Sequence, residues 1–595
     1  MSKIPASTIA TSSFSEADRE VLLRLGKKPV LKRQFGFISI LGFSSAITIS
    51  WETILITMNF GLVNGGPGGM VFQLIYIWLG IMVSFTVISE LASMAPISGG
   101  QYHWVAMLAP ASIHRFASYV TGWLTVCGWQ ASSAAAMYYA GSLIQGMVIL
   151  GQPNYVPQPW HSVLISFAVI SFAIMVNTRG GLLLPRFEAL MFVLHVLGFF
   201  AVIIPMVTLS SHQTGAEVFT TFMNNGGLPS QGLSFLVGTL GMLLSFCGAD
   251  GAIHMSEEIE NASVVVPKAI IASYFVSGVT AFATLIAVLF CTNDIEAALN
   301  SSTGYPFIEI LLSATKSTAG TIVLVTIITL MDITASVSCM ASASRQLWAF
   351  SRDRGVPGWQ MISKVEKRTL VPVYAVGLTA IISAALQLIV LGSSVAFQDL
   401  VSMTIAGIYS SYLIVVTFLM ARRCTGAIGL TSDHFDRNSS SPSMPSTAAQ
   451  LPTAGNLIKP NLQHYQPGDG FPGAHSVRDS PRLLANTAGA ALIWGPWHIP
   501  GAVGVVLNGF ACAFLFTTWF FTFWPEYLPV SAENMNYNCL LWGGVVLLST
   551  VYYLIKGRKY YKGPVVETEE VAGIDERENE KGGSKSTEER EAEIA

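Results

Sequence analysis

An apolar run of about 17–25 residues is what a helix needs to cross a ~30 Å hydrocarbon layer, and this chain of 595 residues carries twelve such runs. They fall at 37–63, 70–94, 117–149, 161–176, 187–209, 233–255, 266–291, 318–344, 372–391, 398–421, 498–524 and 537–556, the third long and the fourth short. A water-soluble fold has no place for them. Hydrophobic residues make up 52% of the chain and charged residues 11%, where ordinary soluble domains carry about 25% charge. A soluble core of this size would lack the charge to cover its surface. Seven cysteines form no CxxC pair and mostly sit in apolar runs, so they read as small buried hydrophobes rather than metal or redox groups. A net charge of −3 offers no basic excess for nucleic acid. The expected fold class is an all-α polytopic membrane protein with twelve transmembrane helices.

An even count puts both termini on one side. If that side is the cytoplasm, 31 of the 32 Lys and Arg lie inside and only Lys316 lies outside. An off-by-one count would scramble this bias, so the positive-inside rule supports count and orientation together. The divisions that follow are a disordered cytoplasmic tail at 1–34, a core of ten spans at 35–421, a flexible cytoplasmic insert at 422–493, two further spans at 494–562, and an acidic disordered tail at 563–595 with eleven Asp and Glu in 33 residues. The first 34 residues hold no short apolar core, so no cleaved signal peptide is expected. Asn300-Ser301-Ser302 is a glycosylation sequon on the expected outer side.

Two spans break the apolar pattern. Span one packs Ser44, Ser45, Thr48, Ser50, Trp51 and Glu52 into nine residues; span six carries Gly248-Ala249-Asp250-Gly251, then His254, Glu257 and Glu258. Ser and Thr compete for backbone hydrogen bonds, and Gly lowers helix propensity, so both stretches favour unwinding. Unwound backbone at membrane depth is tolerated where it lines a cavity. The breaks stand at the start of two five-span sets, and an odd span number inverts the second set relative to the first. Discontinuous helices at matching places in inverted repeats mark one class of secondary transporter. Such helix ends offer N–H groups to a carboxylate, while carbonyls, acids and aromatic faces hold an ammonium. The plainer reading is close helix packing by small polar residues.

Glu52, Asp250 and Asp332 are ion-coupling candidates, against a reading as shielded hydrogen-bond partners. Glu90 and Glu188 sit at span ends and read as gate or interface residues, and His195 reads as a core histidine with a proton relay as the alternative. GxxxxGK[ST], HExxH, paired CxxC and GxSxG in a strand–helix context are absent, so neither ATP-driven pumping nor an enzyme is expected. No cofactor or metal is expected.

SMAPISGGQYHWVAMLAP at 93–110, TGWLTVCGWQ at 121–130, IHMSEEIENASVVVPKAI at 253–270, SRQLWAFSRDRGVPG at 344–358, WGPWHIPG at 494–501 and MNYNCLLWGGVV at 535–546 resemble the fungal amino acid/choline permeases, a GABA-permease-like family of the amino acid–polyamine–organocation superfamily. The resemblance covers roughly 34–563. It implies a LeuT-like fold with five-plus-five inverted repeats and two added helices, and import of a small amine-bearing solute, usually with a proton. Superfamily transfer places the substrate at Ser45, Ala46, Thr48, Ser50 and Trp51 of span one and at Phe246, Gly248, Ala249, Asp250 and Gly251 of span six. The superfamily's glycine-rich break in span one is replaced here by SSAITIS, which leaves carboxylate binding open and suits a cation such as choline. Arg345, Arg352, Asp353 and Arg354 are expected to make gating salt bridges, with anchoring to lipid headgroups as the alternative. The function expected is proton-coupled import of GABA or another amino acid. The alternatives are a choline or polyamine transporter and a nutrient receptor without net flux. The expected partners are the small-molecule substrate, the proton and membrane lipid, and the expected location is the plasma membrane, with the vacuolar membrane as the alternative.

Overall fold

The computed structural model describes residues 16–179, 184–430, 484–532 and 534–567. Most of the insert and most of the acidic tail lie outside the described residues. Eleven of the described helices are long and apolar enough to cross a membrane: Phe37–Ile56, Gly66–Met94, His114–Gly151, Pro159–Thr178, Leu184–Leu209, Ala262–Cys291, Thr318–Arg352, Val373–Leu391, Val401–Cys424, Gly501–Phe521 and Asn538–Tyr560. The segment expected at 233–255 is not among them. It forms two short helices, Gln231–Val237 and Leu240–Ser245, and then leaves helical geometry.

Small residues allow close helix crossings. A Cβ on Gly407 would lie 3.0 Å from Gly128 Cα, so these two glycines bring the third and tenth spans together backbone to backbone. The Trp78 indole lies over Gly278, where a Cβ would be 1.8 Å from its ring, and its N–H donates to the Tyr274 carbonyl at 3.1 Å. Far from both described termini, Asn64–Gly65 pairs antiparallel with Met223–Asn224, tying the link after span one to the link after span five.

The stretch 16–34, expected to be disordered, is built into the bundle. Glu16–Arg24 is helical, and Lys27 behind it is fully buried. Main-chain N–H groups of Gln34 and Phe35 donate to the Glu258 carbonyl at 2.9 and 3.1 Å, and Glu260 N–H returns a bond to Phe35 O at 3.0 Å. The physical reason is charge pairing over long sequence separation. Lys27 donates to Asp353, and Arg33 pairs with Asp18 at 3.0 Å. The last described residues close the same face, with Glu567 N–H on Gly26 O at 2.8 Å and Lys28 N–H on the Glu567 carboxylate at 3.0 Å. Within the expected insert, Leu492–Ile493 pairs in parallel with Ile428–Gly429, so its last ten residues belong to the packed structure.

Asp353 is the hub of this face. Besides Lys27, it accepts from the Tyr102 hydroxyl at 2.7 Å and from Val565 N–H at 2.8 Å. Burial alone would raise its carboxyl, but the Lys27 ammonium and the Arg352 guanidinium outweigh burial and hold it below the ordinary value. A depressed carboxylate contributes stability above its unfolded pKa and loses it as pH falls through the folded value. Thermal unfolding of wild type and Asp353→Asn should therefore differ by the same margin at pH 7 and pH 5. The margin should shrink only below about pH 4.

Candidate functional site

Span one breaks where its Ser/Thr run predicts, without a glycine. The helix Phe37–Thr48 ends as the Thr48 hydroxyl donates back to the Ser44 and Ser45 carbonyls at 3.1 and 3.2 Å. Ile49 then takes a left-handed conformation (φ 30°, ψ 51°) before Ser50–Ile56 resumes the helix. A β-branched residue is strained there, and the surrounding packing must hold it. Span six breaks after Ser245 through Phe246, Cys247, Gly248, Ala249 and Asp250, and a single turn, Gly251–His254, follows. Gly248 has φ 114°, a conformation that L side chains rarely adopt.

The two breaks interlock. A Cβ on Gly248 would stand 2.2 Å from Ile47 Cγ2, and one on Gly251 would stand 2.4 Å from Ile47 Cδ1. Ile47 of span one thus occupies the space that two glycines of span six leave open. Beside this contact lies a cavity of about 60 Å³. Ile47, Thr48 and Ile49 line it from span one, Cys247 from span six, Ser132 and Tyr139 from span three, and Asp332 from span eight. Asp332 is buried, and its Oδ2 has no hydrogen-bond partner among the described residues. Among the described residues, no Lys, Arg or His lines the cavity.

Of the ten residues expected to bind substrate, Thr48 alone lines this cavity. The Ser45 hydroxyl lies 3.3 Å from that of Ser273 in span seven, and the Thr48 hydroxyl 3.3 Å from that of Ser277. Ser50 is buried, and its hydroxyl has no hydrogen-bond partner among the described residues. The Trp51 indole turns to span five and donates to the His195 carbonyl at 3.3 Å. Ala46, Phe246 and Ala249 are buried packing residues, while Gly248 and Gly251 receive Ile47. Asp250 is fully buried beside the cavity: it accepts from Gln101 Nε2 at 3.1 Å and lies 3.8 Å from His254 Nε2. The Tyr412 hydroxyl and the Trp129 indole N–H also face it. Gln101 sits on an eight-residue buried helix, Gln101–Leu108, which is too short to register as a span.

Glu52 and His195 form a buried pair, Nδ1 to Oε1 at 2.8 Å, with Trp51 packed on the imidazole at 5.9 Å between centroids. Asp332 is within electrostatic reach of Glu52. Glu188 accepts from the Ser338 hydroxyl at 2.8 Å, and Glu90 accepts from Ile499 N–H at 2.6 Å and pairs with Arg423. His195 is the residue whose partner sequence reasoning missed. Spans one and five meet only in three dimensions.

Three of the four expected gating charges form ion pairs, with partners in the other charged motif and in the two terminal segments. Arg345 Nε pairs with Glu258 at 2.9 Å, Arg352 with Glu257 at 2.9 Å and with Glu567 at 3.2 Å, and Asp353 with Lys27. The Arg354 guanidinium instead lies over the Trp359 ring, 5.1 Å from its centroid. The HMSEE segment and the SRQLWAFSRDRG segment are therefore two halves of one closure. Removing one partner of such a buried pair leaves an uncompensated charge, at a cost of about 3–5 kcal/mol.

A family model described as amino acid permease matches residues 35–448. A protein of Macrophomina phaseolina named for amino acid/polyamine transport is 32% identical over 65% of this chain and 85% of its own length. The choline transporter of Saccharomyces cerevisiae is 29% identical over 89% of this chain and 83% of its own. Amino-acid permease 2 of Neurospora crassa is 25% identical over 95% of this chain and 92% of its own.

Proposed function

This chain belongs to the amino acid permease family, and we propose that it imports a small amino compound, GABA or another amino acid, by proton symport with alternating access. The coarser statement, a transporter of small amino compounds in a membrane, follows from the family and from the relatives' names. The observation that carries the finer reading is the interlocked pair of helix breaks beside a cavity that holds an unpartnered buried carboxylate, Asp332. In this reading the broken span six counts as the twelfth crossing, both termini lie in the cytoplasm, and the protein resides in the plasma membrane.

A cavity of about 60 Å³ holds a few waters rather than an amino acid. Substrate binding then requires the two breaks to part, while the charge closure at the terminal face stays shut. Asp332 meets the substrate ammonium, main-chain N–H groups at the parted breaks meet a carboxylate, and the Glu52–His195 pair takes and returns the coupled proton. Release follows when the Lys27–Asp353 and Arg345–Glu258 pairs open.

A choline or polyamine substrate is the second reading. It is favoured by the absence of any basic residue among the described residues that line the cavity, which leaves a carboxylate no side-chain cation to pair with there. Uptake of labelled GABA and labelled choline, each challenged with an excess of the other, separates the two. In the amino acid reading, GABA accumulates and choline does not compete. Accumulation of choline that ignores excess GABA overturns that reading and keeps the second.

A further inference from the structure

At the end of the bundle away from both described termini, a second cavity of about 190 Å³ lies between the outer ends of spans one, six, ten and eleven. Four aromatic residues, Phe60, Phe521, Trp524 and Tyr527, form its walls, and two carboxylates, Asp399 and Glu526, face it. Among the described residues, no Lys, Arg or His lines it. Asp399 is 7% exposed; one of its oxygens accepts from Tyr537 N–H at 3.1 Å, and the other is buried with no hydrogen-bond partner among the described residues. Glu526 Oε1 is buried and unpartnered in the same way. The loop that presents Glu526 is fixed, since its main-chain oxygen accepts from the Asn64 side chain at 2.8 Å and Leu528 N–H donates to Gly226 O at 2.7 Å. Burial pushes the Glu526 carboxyl up to about 7.

Two carboxylates, each with a buried oxygen and no basic residue beside it among the described residues of the lining, are costly, and a bound cation removes that cost. The space is larger than a bare metal ion needs, and rings rather than further oxygens complete the wall. Aromatic faces beside a carboxylate select an organic ammonium over a hard metal ion, which takes oxygen ligands. We propose that this cavity is an outer binding site for a small organic ammonium ion, held by Asp399 and Glu526 between the aromatic rings. It lies next to the inner cavity along two shared helices. Leu240 and Ser402 line the outer cavity, and Leu244, one turn further along, and Thr404, two residues further along, line the inner one. Tyr527 also lines a larger cavity of about 540 Å³ that contains Glu296, which extends the acidic path outward. A cation held here waits directly above the breaks.

The test is equilibrium binding of labelled choline and labelled putrescine to the full-length protein in lipid nanodiscs at pH 7.5. Wild type is expected to bind at least one probe at a site whose affinity falls about tenfold or more, ~1.4 kcal/mol, in both Asp399→Asn and Glu526→Gln, while Asp332→Asn leaves that site unchanged. Elution profile and thermal unfolding establish that each variant is folded. Trp524→Leu, which keeps both carboxylates, serves as the independent variant and should weaken choline more than putrescine. No binding of either probe to wild type overturns the proposal, as does binding that only Asp332→Asn reduces. Because the readout is binding, failure of wild type to accumulate substrate would sink the transport reading and leave the outer site standing.

Discussion

Replacing Asp250 by Asn is expected to lower uptake by roughly a hundredfold, the scale set when one member of a buried charged network loses its charge, while leaving insertion and folding intact. The substitution keeps shape and keeps an acceptor for Gln101 Nε2, which donates to this carboxylate at 3.1 Å. What it removes is the negative charge that faces His254, Trp129 and Tyr412. These groups come from the unwound span six, from span three and from span ten, so the charge senses how the breaks sit against the rest of the bundle. Cell-surface protein should match wild type, and uptake of whichever substrate wild type accumulates should fall to background. Normal transport by the variant would remove Asp250 from the mechanism and leave it a packing residue.

Gly248→Val should have the largest effect on the fold. Its Cβ would enter within 2.2 Å of Ile47 Cγ2, and its φ of 114° excludes a β-branched residue. Overpacking and backbone strain together predict a loss of about 3 kcal/mol or more, read as a collapsed unfolding midpoint in detergent. Adding Ile47→Ala should return only part of that loss, because it removes the clash and leaves the backbone strain. Gly251→Ala behaves differently. Gly251 begins a helical turn, and its obstacles are Ile47 Cδ1 at 2.4 Å and Ser342 Oγ at 2.5 Å, so Ile47→Ala should rescue it more fully. If Gly248→Val unfolds at the wild-type temperature, the interlock of the two breaks is not what holds them.

The interlock also shows where sequence reasoning stops. Ser/Thr crowding and a Gly-Ala-Asp-Gly run locate both breaks to within a few residues, because their causes are local: back-bonding hydroxyls and the missing Cβ of Gly248. The strained residue itself, Ile49, carries no such sign; a β-branched side chain argues against a left-handed turn, and only tertiary packing imposes it. The residues that line the cavity differ from those expected for the same reason. A run of polar residues says that a helix is interrupted, but the direction of each side chain depends on its neighbours. Ser45 therefore turns to Ser273 and Trp51 to His195.

Charge was legible as a bias and not as a network. The count of Lys and Arg separates two faces, yet Lys27 and Asp353 are 326 residues apart, and nothing local marks them as partners. For that reason the stretch 16–34, polar and charged, reads as a solvated tail and is instead tied into the buried charge network. The twelve apolar runs were the most legible feature, since length and hydropathy are local quantities. Span six is the exception: its break shortens the helix, so it no longer qualifies by length.

The central claim is gradient-driven movement of a small amine through the broken helices. Purified protein reconstituted into liposomes with an alkaline interior and an acidic exterior tests it most directly, with labelled GABA and labelled choline supplied outside. The account predicts transient accumulation of one of them above its external concentration, abolished by a protonophore and absent in Asp332→Asn. Binding without accumulation, or entry that stops at equilibrium whatever the pH difference, would contradict it.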